Sequence, residues 1–215
     1  MKEMRIGIIG TGVISQRHMR VWSHIPQAKI VAAADINEKR LAQWGEQWGV
    51  SDLYRNFNDL LARDDIDAVD VCVHNNLHVP ISLAVMRAGK HCYCEKPMAG
   101  SYADAKLLYD AQKVYGKKLA IQISSIYNLQ TRMARDMIKN GELGHVYHMR
   151  SVGGRRRGRP GLDSKGLSPD FYSKFYAEHG ALFDMGVYHI SQLLFVAGIP
   201  KLESVYGSTY QEVEI

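Results

Sequence analysis

Along residues 1–120, apolar positions come in short unbroken runs that alternate with longer stretches of helical period. Arg5 to Ile9 reads as a short buried strand and Val13 to His24 as a helix. Lys29 to Ala34 predicts the next strand, and Asn37, a residue suited to capping, opens a helix to about Trp48. A short strand at Leu53-Tyr54, a helix from Asn58 to Ala62 and a buried strand from Ala68 to Val73 follow. In the next helix Ile81, Ala84, Val85 and Ala88 fall on one face. Gly89 ends it, and His91 to Cys94 is the next strand. A helix from Tyr102 to Tyr115 and a strand from Lys118 to Ile123 close the series. Repeated strand–helix units of this length predict a parallel sheet covered on both faces, with ligand at the C-terminal ends of its strands.

Beyond Ile123 the pattern changes. A helix from Gln130 to Asn140, a strand from His145 to Val152, a helix from Ala181 to Ala197 and a strand from Leu202 to Gly207 are predicted. The run Gly153 to Gly161, with Arg155, Arg156, Arg157 and Arg159, must be a loop. The fold class expected is therefore α/β: a Rossmann-type doubly wound parallel sheet in residues 1–123, followed by an incomplete α+β open-sheet domain in 124–215. Two strands are too few for an independently stable sheet, so either the chain is a fragment or another copy covers the exposed surface.

Composition adds bounds. Hydrophobic residues make up 46% and charged residues 23%, ordinary for a soluble globular protein. A net charge of +5 is too mild and scattered to argue for nucleic acid, and would suit an anionic cofactor. Cys72, Cys92 and Cys94 lie in apolar runs and read as buried reduced thiols of a cytoplasmic protein. Cys92 and Cys94 share a strand face, but no second pair of soft ligands accompanies them, and no metal site is expected. There is no signal-peptide layout and no apolar run long enough to span a membrane.

The chemistry starts at Gly10-Thr11-Gly12-Val13-Ile14-Ser15, between the first strand and the first helix. Gly10 permits a tight turn, and Gly12 lets backbone approach a phosphate at the helix N-terminus. Ser15 stands where the usual third glycine would be. Asp35 ends the second strand, roughly 20 residues on, where a carboxylate can hold a ribose 2′-OH. It would repel a 2′-phosphate, so NAD is expected over NADP, with Lys39 and Arg40 one turn later as partial compensation. Glu95-Lys96-Pro97 leaves the fifth strand on the ligand edge of the sheet. Lys96 can donate to a substrate oxygen, Glu95 can orient it, and the bond before Pro97 is a candidate cis peptide.

With these residues, and with Gly89-Lys90-His91 and Gly180-Ala181-Leu182-Phe183-Asp184-Met185-Gly186-Val187-Tyr188, the whole chain resembles the glucose–fructose oxidoreductase / inositol dehydrogenase / MocA family of NAD(P)-dependent oxidoreductases. The resemblance implies a catalytic group of Lys96, Asp184 and Tyr188. Helical spacing agrees: Asp184 and Tyr188 are four apart on one face, whereas His189, the reserve candidate, lies about 140° from Asp184. A tyrosine of ordinary pKa, about 10, would need a nearby cation such as Lys96. The family often has Thr-Pro-Asn-x-x-His after the fourth strand. Here Val73-His74-Asn75-Asn76-Leu77-His78 keeps the Asn and the final His, and Asn75 and His78 are expected on the nicotinamide side with Glu95 and Lys96. An arginine frequent after the sixth strand is Ile126 here. The Arg155 to Arg159 run reads as an anion-binding or a solvated loop. Tyr172, Tyr176 and His179 are candidates to cover the substrate.

The implied reaction is hydride transfer between a nicotinamide and a hydroxyl-bearing carbon of a sugar, cyclitol or related polyol, in a homo-oligomer formed through the second domain. A non-catalytic NAD(P)-binding sensor of the same fold is the alternative. A nucleic-acid binder lacks a basic recognition helix and interleaved aromatics.

Overall fold

The computed structural model describes residues 3–154, 173–177 and 179–210. Its elements are β1 (Met4–Ile9), α1 (Val13–Trp22), β2 (Ala28–Ala34), α2 (Glu38–Trp48), β3 (Leu53–Tyr54), α3 (Phe57–Leu61), β4 (Ala68–Val71), α4 (His78–Arg87), β5 (His91–Glu95), α5 (Tyr102–Val114), β6 (Leu119–Gln122), α6 (Leu129–Lys139), α7 (Lys174–Ala177) and α8 (Val187–Val196). Short 3₁₀ turns at Asn75–Leu77 and Ser124–Tyr127 and a π turn at Leu182–Gly186 complete them.

The six strands form one parallel sheet in the order β3-β2-β1-β4-β5-β6, with the order reversing between β1 and β4. Strand alternation divides the core into two layers. Ile6, Ile8 and Ala33 face one side, where Met19, Leu41 and Trp44 of α1 and α2 cover them. Ile9, Ala32, Ala34, Val69 and Val71 face the other, under Leu60, Ile81, Val85, Met86 and Leu108. The sheet is covered on both faces, which is why these strands read as continuous apolar runs.

Local chemistry sets the ends. Asn37 caps α2 by accepting from Arg40 N at 3.0 Å, and Gly49 closes it at φ +68°. Ser15 takes over the packing of the third fingerprint glycine. It is fully buried, donates to Gly12 O at 2.7 Å and accepts from Trp44 Nε1 at 3.1 Å, joining α1 to α2.

The two strands expected at 145–152 and 202–207 do not form; among the described residues the last strand is β6. Their apolar alternation is real, but a strand exists only as part of a ladder, and among the described residues no neighbouring strand pairs with either segment. The predicted helix from Ala181 to Ala197 is also not uniform, since it begins with the π turn that carries Asp184. The Arg155–Arg159 run and Tyr172 lie outside the described residues.

Candidate functional site

Gly10 is the fixed point of the glycine turn. Its φ is +92°, and a Cβ there would lie 2.4 Å from Cys72 O. Gly12 differs: a Cβ on it would meet nothing within 4 Å, so the backbone before α1 fronts open space. No side chain caps α1, which leaves the first-turn N–H groups of Val13 and Ile14 facing that space with the positive end of the helix dipole. Such a cradle fits a phosphate.

Asp35 lies at the end of β2 beside it. Its carboxylate accepts from Thr11 N at 2.8 Å, Thr11 Oγ1 at 2.9 Å and Asn37 N at 2.8 Å. Arg40 adds a forked contact, with Nη2 at 2.8 and 2.9 Å from the two oxygens. Burial pushes this carboxyl upward, but the Arg40 guanidinium and the three N–H and O–H donors outweigh it and hold the group below its ordinary value. The sequence pointed to Arg40 as a compensating cation; its pairing with Asp35 itself is the new feature.

At the end of β5, Lys96 reaches across to the π turn. Its Nζ donates to Asp184 Oδ1 at 2.9 Å and to Asp184 O at 2.8 Å, and stands 5.0 Å from the centre of the Tyr188 ring. Lys96 is thus brought together with Asp184 and Tyr188, which lie far along the chain from it. The Lys96 side chain is 13% exposed and that of Asp184 21%, so the cluster is sheltered yet open to a small molecule. The peptide bond before Pro97 is cis.

His189 points elsewhere. Its Nδ1 is 2.5 Å from Ser151 Oγ, and its Nε2 would touch a Cβ on Gly153. It packs the 151–153 segment against α8. The π turn alters the simple α-helical spacing, but Asp184 and Tyr188 still meet on the Lys96 side.

Glu95 and His78 are buried, 7% and 1% exposed, and both grip the backbone around Lys96. Glu95 Oε2 accepts from Lys96 N at 3.0 Å, and His78 Nδ1 lies 2.6 Å from Pro97 O. Burial lowers the His78 pKa, only partly offset by the Pro97 and Val73 carbonyls. Asn75 donates from Nδ2 to Ala177 O at 3.1 Å. The Tyr176 ring lies 5.4 Å from that of His74, and His179 Nε2 is 2.8 Å from Gly100 O. Tyr176, Ala177 and His179 therefore lie over the loops that follow β4 and β5.

Sequence reasoning missed His18 and Asp70. An aspartate inside the buried run Ala68 to Val73 was the available signal, because a buried carboxylate needs partners. His18 Nδ1 lies 2.9 Å from Asp70 Oδ2, and its Nε2 lies 2.8 Å from Glu95 Oε1. Burial alone would lower the His18 pKa; the two carboxylates outweigh it and hold the pKa at about 10. His18, Asp70 and Cys72 also form a compact group of potential metal donors. Burial and the nearby Asp70 and Glu95 push the Cys72 thiol well up, which keeps it protonated and a poor ligand.

Residues 4–123 match the model described as "Oxidoreductase family, NAD-binding Rossmann fold", and residues 131–214 match the "GFO/IDH/MocA C-terminal domain". D-glucoside 3-dehydrogenase of Escherichia coli is 28% identical over 98% of this chain and 58% of its own length. Myo-inositol 2-dehydrogenase of Thermotoga maritima is 28% identical over 99% of this chain and 60% of its own. The chain thus spans somewhat over half the length of these curated relatives. Among solved structures, GenD2 from gentamicin A biosynthesis, in complex with NAD, superposes with a TM-score of 0.80 at 22% identity, covering 93% of this chain and 55% of that one. Aldose-aldose oxidoreductase from Caulobacter crescentus, complexed with glycerol, gives a TM-score of 0.76 at 26% identity, covering 92% and 58%.

Proposed function

This chain belongs to the GFO/IDH/MocA family of oxidoreductases, and from that premise we propose that it holds the cofactor and the proton-handling residues of an NAD-dependent dehydrogenase. The substrate class is a sugar, cyclitol or related polyol that reacts at a hydroxyl-bearing carbon. The observation that carries the reading is the convergence of Lys96 Nζ on Asp184 Oδ1 at 2.9 Å and on the Tyr188 ring at 5.0 Å. Relatives named as glucoside and inositol dehydrogenases support the substrate class.

The residues present fit a dinucleotide. Gly10, Thr11, Gly12, Val13 and Ile14 would hold its pyrophosphate through backbone N–H groups, and Asp35 would take a ribose hydroxyl. When bound, the nicotinamide supplies the hydride acceptor or donor. This chain's own side chains handle the proton. Lys96 Nζ donates a hydrogen bond to the reacting oxygen, and its cationic head lowers the cost of charge building there. Tyr188, beside that cation, would relay the proton: its phenolic oxygen takes the hydroxyl proton as its own O–H proton leaves to solvent, and Asp184 orients the Lys96 head. Tyr176 and His179 shelter the site.

The reading further assigns residues 1–123 to the cofactor domain and 124–215 to a substrate and oligomerisation domain, in a cytoplasmic homo-oligomer. NAD would be preferred over NADP because the Asp35 carboxylate would repel a 2′-phosphate brought close to it. Among the described residues no helix is long and apolar enough to cross a membrane.

The test is NADH formation from NAD with a panel of cyclitols, glucosides and aldoses. Turnover with at least one of them, abolished by Lys96→Ala while NAD affinity stays within about threefold, is the expected result. NAD binding without turnover on any member of the panel refutes the dehydrogenase and favours a sensor.

A further inference from the structure

We propose that His18 is a positioning residue: a buried imidazolium that, through Glu95, fixes the backbone from which Lys96 projects. The inference rests on the reading of Lys96 as the group that handles the proton.

Sheet register places the parts. Ile8 pairs with Asp70, and Asp70 with Tyr93, so these three share the sheet face under α1. Cys72 and Glu95, two residues further along their chains, fall on the same face. His18, 6% exposed, hangs from α1 onto them. Asp70 and Cys72 come from β4 and its end, Tyr93 and Glu95 from β5, and Trp22 from α1. Nδ1 meets both Asp70 oxygens at 3.1 and 2.9 Å, and Nε2 meets Glu95 Oε1 at 2.8 Å. Carboxylate oxygens accept, so a ring set between two carboxylates is satisfied only by donating from both nitrogens. Trp22 Nε1 donates to Asp70 Oδ2 at 2.7 Å, and the Cys72 thiol donates to Asp70 Oδ1 at 3.4 Å. The second Glu95 oxygen is thereby left to accept from Lys96 N at 3.0 Å.

The result is one continuous chain of bonds from Asp70 through His18 and Glu95 to the Lys96 backbone. His78 holds the far side, with Nδ1 2.6 Å from Pro97 O. Lys96 is therefore clamped before and after its own α-carbon, and its side chain runs out to Asp184.

Two substitutions separate positioning from packing. In His18→Gln the amide nitrogen can replace Nε2 and keep the bond to Glu95. In His18→Asn it can replace Nδ1 only, keeping Asp70 and releasing Glu95. The activity-independent readout is competitive acetylation by acetic anhydride, measured by mass spectrometry as Lys96 labelling relative to the exposed Lys201. Labelling of Lys96 should be slow in the parent and in His18→Gln, and faster in His18→Asn. Where a hydroxyl substrate is turned over, kcat should fall about 10²-fold in His18→Asn, with NAD affinity held within about threefold and much of the rate regained in His18→Gln.

Glu95→Gln gives a second arm should His18→Asn fail to fold. Its single amide oxygen cannot serve both His18 and Lys96 N, so Lys96 labelling should rise there too. Unchanged Lys96 labelling in the folded variants overturns the proposal, as does an equal change in His18→Asn and His18→Gln that follows their loss of stability. A parent chain that shows the labelling pattern yet turns over no polyol would count against the dehydrogenase reading and leave the positioning role standing.

Discussion

Raising the pH from 7 to 8 should weaken the folded chain by about 1 kcal/mol through His18. The folded ring keeps its proton up to about pH 10, whereas an unfolded histidine releases it near about 6.5. Between those values the native state binds a proton that the unfolded state does not. The stabilisation is full below the lower value, declines by up to ~1.4 kcal/mol per pH unit and is gone above the upper one. At pH 7 the unfolded ring is still about one-quarter protonated, so the step to pH 8 costs roughly 1.2 kcal/mol. Neighbouring groups change this little in that interval. Burial raises the thiols of Cys72, Cys92 and Cys94, so they destabilise the fold as pH rises, but mainly above the ordinary thiol range. Burial lowers the folded pKa of His78 and His91. They act with the opposite sign, through the roughly one-quarter of each unfolded ring still protonated at pH 7. Each set contributes a few tenths of a kcal/mol, and the two oppose each other.

The assay is urea unfolding at constant ionic strength, followed by tryptophan fluorescence at pH 7.0, 7.5 and 8.0. Nitrogen NMR of the His18 ring should show both nitrogens protonated across the same range. An unfolding free energy that is flat from pH 7 to 8, or a ring that loses a proton below pH 7, refutes the reasoning. In either case the buried pair would carry its charge elsewhere.

Gly10→Ala should destabilise the chain by about 3 kcal/mol, combining left-handed backbone strain with a clash against Cys72 O, and calorimetry would measure it; a loss under about 0.5 kcal/mol would show that the turn can rearrange. Titration with the two cofactors should find NAD bound more tightly than NADP, and Asp35→Ser should narrow that ratio by about tenfold, ~1.4 kcal/mol, by freeing Arg40 for a phosphate. Tighter NADP binding by the parent chain contradicts the assignment of Asp35. Tyr188→Phe should lower kcat about 10²–10⁴-fold with the fold intact. His189→Ala should leave the rate close to parental and cost about 1 kcal/mol of stability through the lost Ser151 bond. The reverse pattern would exchange their roles.

The first half of the chain was legible because its signals are local. Runs such as Val31 to Ala34 are buried on both faces, Asn37 caps its own helix, and Gly10 needs a positive φ wherever it is placed. Lys96, Asp184 and Tyr188 were legible through motif resemblance, and the geometry between them is what the structure adds. Other features depend on partners remote in sequence. Glu95 precedes Lys96 and was expected to orient its side chain, but neighbours on a strand point to opposite faces. Glu95 therefore turns under α1 to His18, and only its bond to Lys96 N serves the lysine. The segments at 145–152 and 202–207 have strand-like alternation, yet alternation specifies a face and supplies no ladder partner. The π turn at Leu182–Gly186 has no simple periodic signature, and the α-helical spacing argument for Asp184 and Tyr188 passed over it.

Lys96 is held from two directions by two different parts of the chain, and the energetics explain why both are needed. Ordering a lysine side chain costs up to about 2 kcal/mol. The two bonds from Nζ to Asp184 offset that cost only once the π turn is docked against the end of β5. The backbone, by contrast, is fixed within residues 4–123, by Glu95 on one side and the His78 to Pro97 contact on the other. The bond to the Glu95 carboxylate contributes about 1.5–3 kcal/mol and the neutral His78 to Pro97 contact about 0.5–1.5 kcal/mol, together enough to keep the end of β5 in place whatever the head group does. Under the proposed function, the head would then exchange Asp184 for a substrate oxygen without the strand end moving. A misplacement of about 1 Å at the reacting atoms can cost about 10²-fold in rate, so a rigid origin with an exchangeable tip suits a proton-handling lysine. Since α1 carries the open backbone at Gly12 at one end and His18 two turns later, any shift of that helix on cofactor binding reaches Glu95 directly, and with it the base of Lys96.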